Sequence, residues 1–297
     1  MQVLMTGGSG FVGRALSARL LEAGHRVRWL SRRPDPGAPV PVVTGDPALP
    51  GDWQAALGEA DAVVHLAGEG LARRWTGERR ARIRSSRVDS ARLLAAGLGP
   101  GQALVSASAV GLYGDRGDEV LDEESAPGQG FLAEVCRDWE AAAREAGPRG
   151  ARVAIARLGV VLGRDARGPG GALGRMLGPF RLGLGGRLGP GTQWLSWIHL
   201  ADAAAALQRL LEDPGLEGPC LLCAPEPVTN REFTRALGRA LNRPAVMAVP
   251  AFALRAALGD MAAVLLESQR AVPRRLQALG FSFQHPTLAG ALADVLA

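Results

Sequence analysis

The stretch Val3-Leu4-Met5-Thr6-Gly7-Gly8-Ser9-Gly10-Phe11-Val12-Gly13 constrains this chain more than any other. A short apolar strand runs straight into a glycine-rich turn. Apolar residues at Val12, Leu16 and Leu20 then keep helical spacing, and Gly24 is placed to end the helix. Each glycine has a physical task. Gly7 permits the sharp strand-to-helix turn, Gly10 lets a pyrophosphate approach the backbone, and Gly13 lets the helix pack closely on the strand. The phosphates would meet free N–H groups and the positive end of the helix dipole. Because the pattern follows a strand and opens a helix, it predicts dinucleotide binding and not a mere turn.

The second strand is expected at 26–30 and ends in Ser31-Arg32-Arg33. In a dinucleotide fold, this position faces the adenosine ribose, and an acidic residue there would accept from the 2′-hydroxyl. Arg32 and Arg33 reverse that charge, and a guanidinium binds a 2′-phosphate in a fork. The cofactor is therefore expected to be NADP(H).

A Pro/Gly-rich connection, 34–50, holds a third short strand at 40–44. Residues 61–68 form a continuous apolar run suited to a parallel strand buried on both faces. Its end, Leu66-Ala67-Gly68, offers small residues where a cofactor lies, outside the carboxyl ends of the strands. His65 lies within the run and reads as a core histidine. A basic helical stretch follows from Arg73 to Leu94; it is mostly a solvated face, with Arg82 and Arg87 as candidates to turn inward. Strand 5, at 103–106, leads into a polar loop carrying Ser106, Ser108 and Tyr113, the one tyrosine of the chain. A helix at 131–146 and a strand at 152–156 continue the alternation. The fold class expected is α/β: a doubly wound parallel Rossmann sheet with a smaller, mostly helical C-terminal lobe. Residues 1–163, completed by 193–224, form the nucleotide-binding part; 164–192 and 225–297 form the substrate side.

Segment 164–192 is dense in glycine and reads as a mobile or induced-fit loop region around a short helix. The Cys220-Leu-Leu-Cys223 pair sits on an expected strand, where residues three apart point to opposite faces, so it is a poor metal site. No metal is expected. Thr229, with Glu232 three residues on, predicts a capping box.

The chain has 297 residues, 47% of them hydrophobic, enough for one large domain with an added lobe. No apolar run reaches membrane-spanning length, and the first strand begins where a signal peptide would lie, so a cytoplasmic protein without membrane contact is expected. Three cysteines are too few for a disulfide framework. The net charge is +5 and the pI about 10.2, yet the chain contains no lysine, so all 34 basic residues are arginine. The high pI therefore reflects arginine's pKa, and without a nucleic-acid motif no nucleic-acid partner is expected. The expected partner is a small-molecule substrate, and the expected assembly a monomer or homodimer.

Thr6-Gly7-Gly8-Ser9-Gly10-Phe11-Val12-Gly13 resembles the fingerprint of extended short-chain dehydrogenases/reductases, the nucleotide-sugar epimerase group. The stretches 106–118, 131–140, 179–186, Trp197-Ile-His199 and Val228-Thr-Asn230 resemble its atypical "epimerase family protein" subgroup, which has its own C-terminal domain. The resemblance covers nearly the whole chain. It implies a Rossmann fold, NADP(H) and a poorly defined substrate. It also implies that Ser31, Arg32, Leu66, Ala67, Arg82, Arg87 and Val161 line the cofactor, beside the glycine turn with Phe11 and Val12, Arg33, Gly68 and Ser106.

Catalysis departs from the wider superfamily, whose active members use Ser/Thr with Tyr-x-x-x-Lys. Anchored on Glu140, that window reads Leu132-Ala-Glu-Val-Cys136, so leucine replaces the tyrosine and cysteine the lysine. Ser108 resembles the superfamily's serine, but the loop is one residue longer, so Ser106 and Ala109 compete for that place. Ser108, Tyr113 and Cys136 are the catalytic candidates, with His199 and Arg157 as further polar groups near the cleft. The two function classes that remain are an NADP(H)-dependent oxidoreductase or epimerase with a non-standard proton relay, and an NADP(H)-binding sensor without catalysis.

Overall fold

The computed structural model describes residues 1–166 and 168–297. Seven strands form one parallel sheet: β1 Gln2–Thr6, β2 Arg26–Ser31, β3 Val42–Thr44, β4 Ala62–His65, β5 Ala103–Ala109, β6 Arg152–Leu158 and β7 Gly218–Leu222. Their spatial order is β7-β6-β5-β4-β1-β2-β3. The direction of winding reverses between β1 and β4, which opens a crevice at their carboxyl ends.

The longer helices are α1 Phe11–Glu22, α2 Gly77–Ala96, α3 Phe131–Arg144, α4 Gly171–Arg181, α5 Leu200–Glu212, α6 Asn230–Ala240, α7 Ala251–Leu258 and α8 Leu288–Leu296. Alternation along β1 sends Val3 and Met5 to one face of the sheet and Leu4 to the other. Val3 and Met5 join Leu16 and Leu20 of α1 and Leu207 of α5 in one core. Leu4 joins Leu94 of α2 and Trp139 of α3 in a second. A parallel sheet covered by helices on both faces explains why its strands read as unbroken apolar runs. A third core joins Leu173 and Leu177 of α4, Phe233 and Leu237 of α6, and Leu292 of α8.

Several expected boundaries move. The third strand starts at Val42 because Pro39 and Pro41 lack the N–H a ladder needs. The run 61–68 is strand only to His65, and Leu66-Ala67-Gly68 forms the crevice edge. Strand β5 extends to Ala109, because its pairing with β6 continues to Ala109 opposite Leu158. Ser108 therefore sits on a rigid strand and not in a loop. The basic helix starts later than expected, at Gly77, where the Thr76 side chain accepts from Arg79 N at 3.2 Å.

Segment 164–192 is more regular than its glycine content suggests. Arg164–Asp165 pairs with Gly168–Pro169, and Gly186–Leu188 pairs with Met247–Val249. Between them α4 buries Leu173, Leu177 and Phe180, an apolar stripe at helical spacing that earns its order from the third core. The capping box forms at Thr229, with Thr229 N donating to Glu232 Oε2 at 2.7 Å. Cys220 and Cys223 are free and buried. Among the described residues no helix is long and apolar enough to cross a membrane.

Candidate active site

The glycine turn is shaped by backbone contacts. Gly7 adopts φ +72°, and a Cβ there would lie 2.7 Å from the Leu66 carbonyl carbon and Ala67 N. A Cβ on Gly13 would lie 2.3 Å from the Gly7 carbonyl oxygen, so the helix packs on the turn itself more closely than on the strand. A Cβ on Gly8 would overlap the Trp29 indole at 2.2 Å, a constraint that spacing alone did not reveal. Gly10 differs: its Cβ position meets only Gly7 O, at 3.0 Å, and otherwise faces open space. Gly10 is also the N-cap of α1 and brings no side chain to its first turn. The Phe11, Val12 and Gly13 N–H groups therefore lack intrahelical acceptors beside an open approach, the arrangement a pyrophosphate needs.

A cleft of about 300 Å³ opens here, lined by Gly7, Gly10, Ser31, Arg32, Leu66, Ala67 and Gly68 among others. Sequence reasoning placed these seven at the cofactor, and the fold brings them together. It missed Trp29, Asp46, Pro47, Ala48, Glu69 and Ser86, which share the lining. Asp46 accepts from Ala48 N at 3.0 Å and shapes the turn after β3. The Arg32 side chain is exposed at the cleft and has no ion-pair partner among the described residues. Arg33 follows it, exposed; its backbone N–H donates to Ser31 Oγ at 3.4 Å.

The other expected cofactor residues divide. Arg82 points outward, exposed and paired with Glu78 on the same helix. Arg87 turns inward: its guanidinium packs against Gly68, donates to the Glu69 and Ile83 carbonyls at 3.1 Å each, and lies 5.5 Å from the Trp139 ring centre. Ser106 is fully buried and its hydroxyl donates to Ala107 O at 3.2 Å. Val161 lies beside Phe11 where the chain enters α4: a Cβ on Gly171 would sit 3.2 Å from Val161 O and 3.3 Å from the Phe11 ring.

Strand register sets the polar groups behind the cleft. Thr6 stands opposite His65, and His65 opposite Ser106. His65 is fully buried, with Nδ1 2.7 Å from Thr6 Oγ1 and Nε2 3.0 Å from Ser90 Oγ. The Ser90 hydroxyl donates to Ser86 O and so accepts from His65 Nε2–H; Thr6 then donates to Nδ1 and accepts from Ala67 N. One neutral tautomer satisfies every partner. Burial pushes its pKa down to about 4.

Ser108, Tyr113 and Cys136 surround a buried ion network. Register places Ser108 opposite Arg157. The Ser108 hydroxyl donates to Glu140 Oε1 at 2.8 Å, and Arg157 donates to both Glu140 oxygens at 2.9 and 3.0 Å. Arg144 adds a bond to Glu140 Oε2 at 2.9 Å. Burial opposes ionisation of Glu140, but the Arg157 bonds and charge, Ser108 and Arg144 together hold its pKa below the ordinary value. Tyr113 lies inside the same network: its hydroxyl donates to Asp122 O at 2.8 Å and accepts from Arg157 at 2.9 Å. Burial raises its pKa, against the pull of Arg157. Cys136 is buried beside Ser108 and Arg87; burial pushes its thiol up to about 11, although the Arg87 charge opposes this. None of the three lines the 300 Å³ cleft. His199 lies apart, at the N-cap of α5.

A second cavity, about 520 Å³, lies at the N-terminus of α3, with Leu132, the residue in the expected tyrosine position, in its wall. Trp75, Phe131 and Leu266 give it apolar surface, while Arg80, Arg255, Asp115, Asp260 and Glu267 give it charge of both signs. Burial and the nearby Asp115 raise the Glu267 pKa. Residues from the Rossmann part and from the C-terminal region face each other across it.

Comparison with known proteins places this geometry. Residues 3–219 match the model of the NAD dependent epimerase/dehydratase family, and residues 249–295 match a domain of unknown function (DUF1731). An epimerase family protein of Mycobacterium tuberculosis is 44% identical over 294 residues, spanning 98% of this chain and 96% of that protein. The crystal structure of a human epimerase family protein with NADPH superposes with a TM-score of 0.87 at 38% identity, over 99% of each chain. A nucleoside-diphosphate sugar epimerase from Corynebacterium glutamicum gives a TM-score of 0.80 at 38% identity, over 100% of this chain and 58% of that one. The match spans the glycine turn, the sheet and the buried network alike, and this chain belongs to the NAD-dependent epimerase/dehydratase family, in its epimerase family protein group with a C-terminal domain of its own.

Proposed function

We propose that this chain binds NADP(H) along the glycine turn and acts as an oxidoreductase- or epimerase-like enzyme on a small molecule seated in the second cavity. The observation that carries the reading is Arg32, a guanidinium just after β2 with no ion-pair partner among the described residues, beside a helix N-terminus with free N–H groups. A fork of this kind suits a 2′-phosphate. The human relative crystallised with NADPH supports the same choice. The cofactor residues of this reading are Gly7, Gly10, Phe11, Val12, Gly13, Ser31, Arg32, Arg33, Leu66, Ala67, Gly68, Arg87, Ser106 and Val161; the outward pairing of Arg82 speaks against a direct contact from that side chain.

The bound nicotinamide would supply or accept the hydride. The chain's own residues handle the rest. Glu140, ionised and held by Arg157, takes the Ser108 proton into a hydrogen bond, so Ser108, buried behind both cavities, acts as a positioning group within that network. Cys136 keeps its proton at neutral pH and stands where the family's lysine is absent, with the Arg87 cation beside it. Tyr113 acts through Arg157 as a positioning group, since its hydroxyl is bonded on both sides. In the second cavity, burial and the nearby Asp115 raise the Glu267 pKa, which makes this carboxyl the acid–base candidate there. In this reading residues 1–163 with 193–224 hold the nucleotide and give one wall of the second cavity, and 164–192 with 225–297 form the substrate side. Three buried free cysteines support a cytosolic setting.

Titration calorimetry with NADPH and NADH tests the cofactor. Binding of NADPH at least tenfold tighter supports the reading, and no heat with either oxidised or reduced NADP overturns it. A panel of carbonyl and nucleotide-sugar substrates, followed by NADPH absorbance, tests catalysis; binding without turnover on any of them favours the sensor reading.

A further inference from the structure

We propose that His199, His285 and Asp294 form a divalent-metal site that clasps the C-terminal helix to the nucleotide-binding half. Each residue offers one ligand atom, and the three atoms lie within 4.8 Å of one another. They come from three separate places: the end of strand Trp197–His199, the loop before α8, and α8 itself.

The second observation is an orphan. His199 is 5% exposed, and its Nε2 is buried without a hydrogen-bond partner. Asp294 Oδ2 stands 3.1 Å away, a carboxylate oxygen already beside that nitrogen. The His285 ring centre is 3.8 Å from that of His199, with the planes tilted by 43°. A buried polar atom left in this state normally has a ligand or water to satisfy it.

The scaffold around the cluster is already fixed. Asp202, on the first turn of α5, accepts from Gln284 N at 2.7 Å and from His285 N at 3.0 Å. These bonds hold the His285 backbone in place next to His199, and the Asp202 carboxylate adds negative charge behind the ligands. Burial and the neighbouring His285 lower the His199 pKa against the pull of Asp294 and Asp202, and the neutral ring is the form that ligates. Four N/O ligands at about 2.0–2.2 Å in a tetrahedron stand about 3.3 Å apart, so the side chains close on an ion by small rotations. Two imidazoles and one carboxylate select a borderline ion such as zinc or cobalt over magnesium or calcium, with water in the remaining position. Ligation at Nε2 moves the ring proton to Nδ1 and releases one long contact, the 3.3 Å bond from Ala201 N. The cluster lines neither the nucleotide cleft nor the second cavity, so the site stands independently of the proposed activity.

The test uses the full chain stripped with EDTA. Cobalt(II) titration should develop visible tetrahedral bands that saturate at one equivalent, and calorimetry should find one zinc site. His285→Ala and Asp294→Asn should each lose at least the 10–100-fold in zinc affinity that even an outer-shell partner is worth. Zinc should raise the unfolding midpoint of the parent chain and not that of His285→Ala. His285 is half-buried, so His285→Ala should keep its unfolding midpoint in EDTA; should it misfold, Asp294→Asn, altered at an exposed position, decides the outcome. Absence of the cobalt bands overturns the proposal, and so does zinc affinity unchanged in a folded variant.

Discussion

Arg32 and Gly13 show how much one side chain, or the lack of one, decides in the nucleotide cleft. Arg32→Glu places a carboxylate where a 2′-phosphate is expected, and NADPH affinity should fall by about tenfold or more, roughly 1.4 kcal/mol, with little change for NADH. Calorimetry with both nucleotides measures this; equal losses would remove Arg32 from 2′-phosphate recognition. Gly13→Ala sets a Cβ 2.3 Å from the Gly7 carbonyl oxygen, a backbone atom that cannot rotate away. It should cost about 1–3 kcal/mol of stability by overpacking and weaken both nucleotides together, readable by urea unfolding and the same titrations. Both residues were legible in the chain, because a glycine-rich turn and the charge after the second strand carry local meaning. Gly8 was not, since its constraint is the indole of Trp29, which arrives from another strand.

The elements β5, α3 and β6 meet at Glu140. Its carboxylate ties Ser108 of β5 to Arg157 of β6 from within α3, and all three groups are buried. Breaking a buried pair by removing one partner leaves an uncompensated charge, so Glu140→Leu should destabilise the chain by about 3–5 kcal/mol. Denaturant unfolding checks it; a loss no larger than that of a surface variant would show that the network is dispensable. Along the sequence, Ser108, Glu140 and Arg157 looked like separate polar residues, and Ser108 was placed in a loop. Only the register of β5 against β6 puts Ser108 opposite Arg157 and carries the strand on to Ala109. The same holds for the segment around α4, where glycine content points to a loop region around a short helix and the third core, accepting Leu173, Leu177 and Phe180, sets the helix's extent.

Stability of the molecule as a whole should report on His65. Its pKa is about 4 in the fold against an ordinary 6.5, so the unfolded chain binds the extra proton between those values. Stability from this group is fully present above pH 6.5 and declines as pH falls through 4, by roughly 3 kcal/mol in total. Unfolding midpoints at neutral and mildly acidic pH should therefore diverge more for the parent chain than for His65→Gln. Parallel declines in the two would assign the acid sensitivity to other groups. The local order of the chain was enough for the alternation of strands and helices, the dinucleotide turn and the basic residues that follow β2, because each rests on residues adjacent in sequence. It was also enough to show that the tyrosine and lysine of the wider superfamily are missing from Leu132 and Cys136. Which polar groups meet was decided by the tertiary structure: the His65 chain of hydrogen bonds, the Glu140 network, the second cavity, and the approach of His199, His285 and Asp294. Those contacts join residues tens to hundreds of positions apart, and nothing in a residue's near neighbours encodes the strand register and helix packing that bring such partners together.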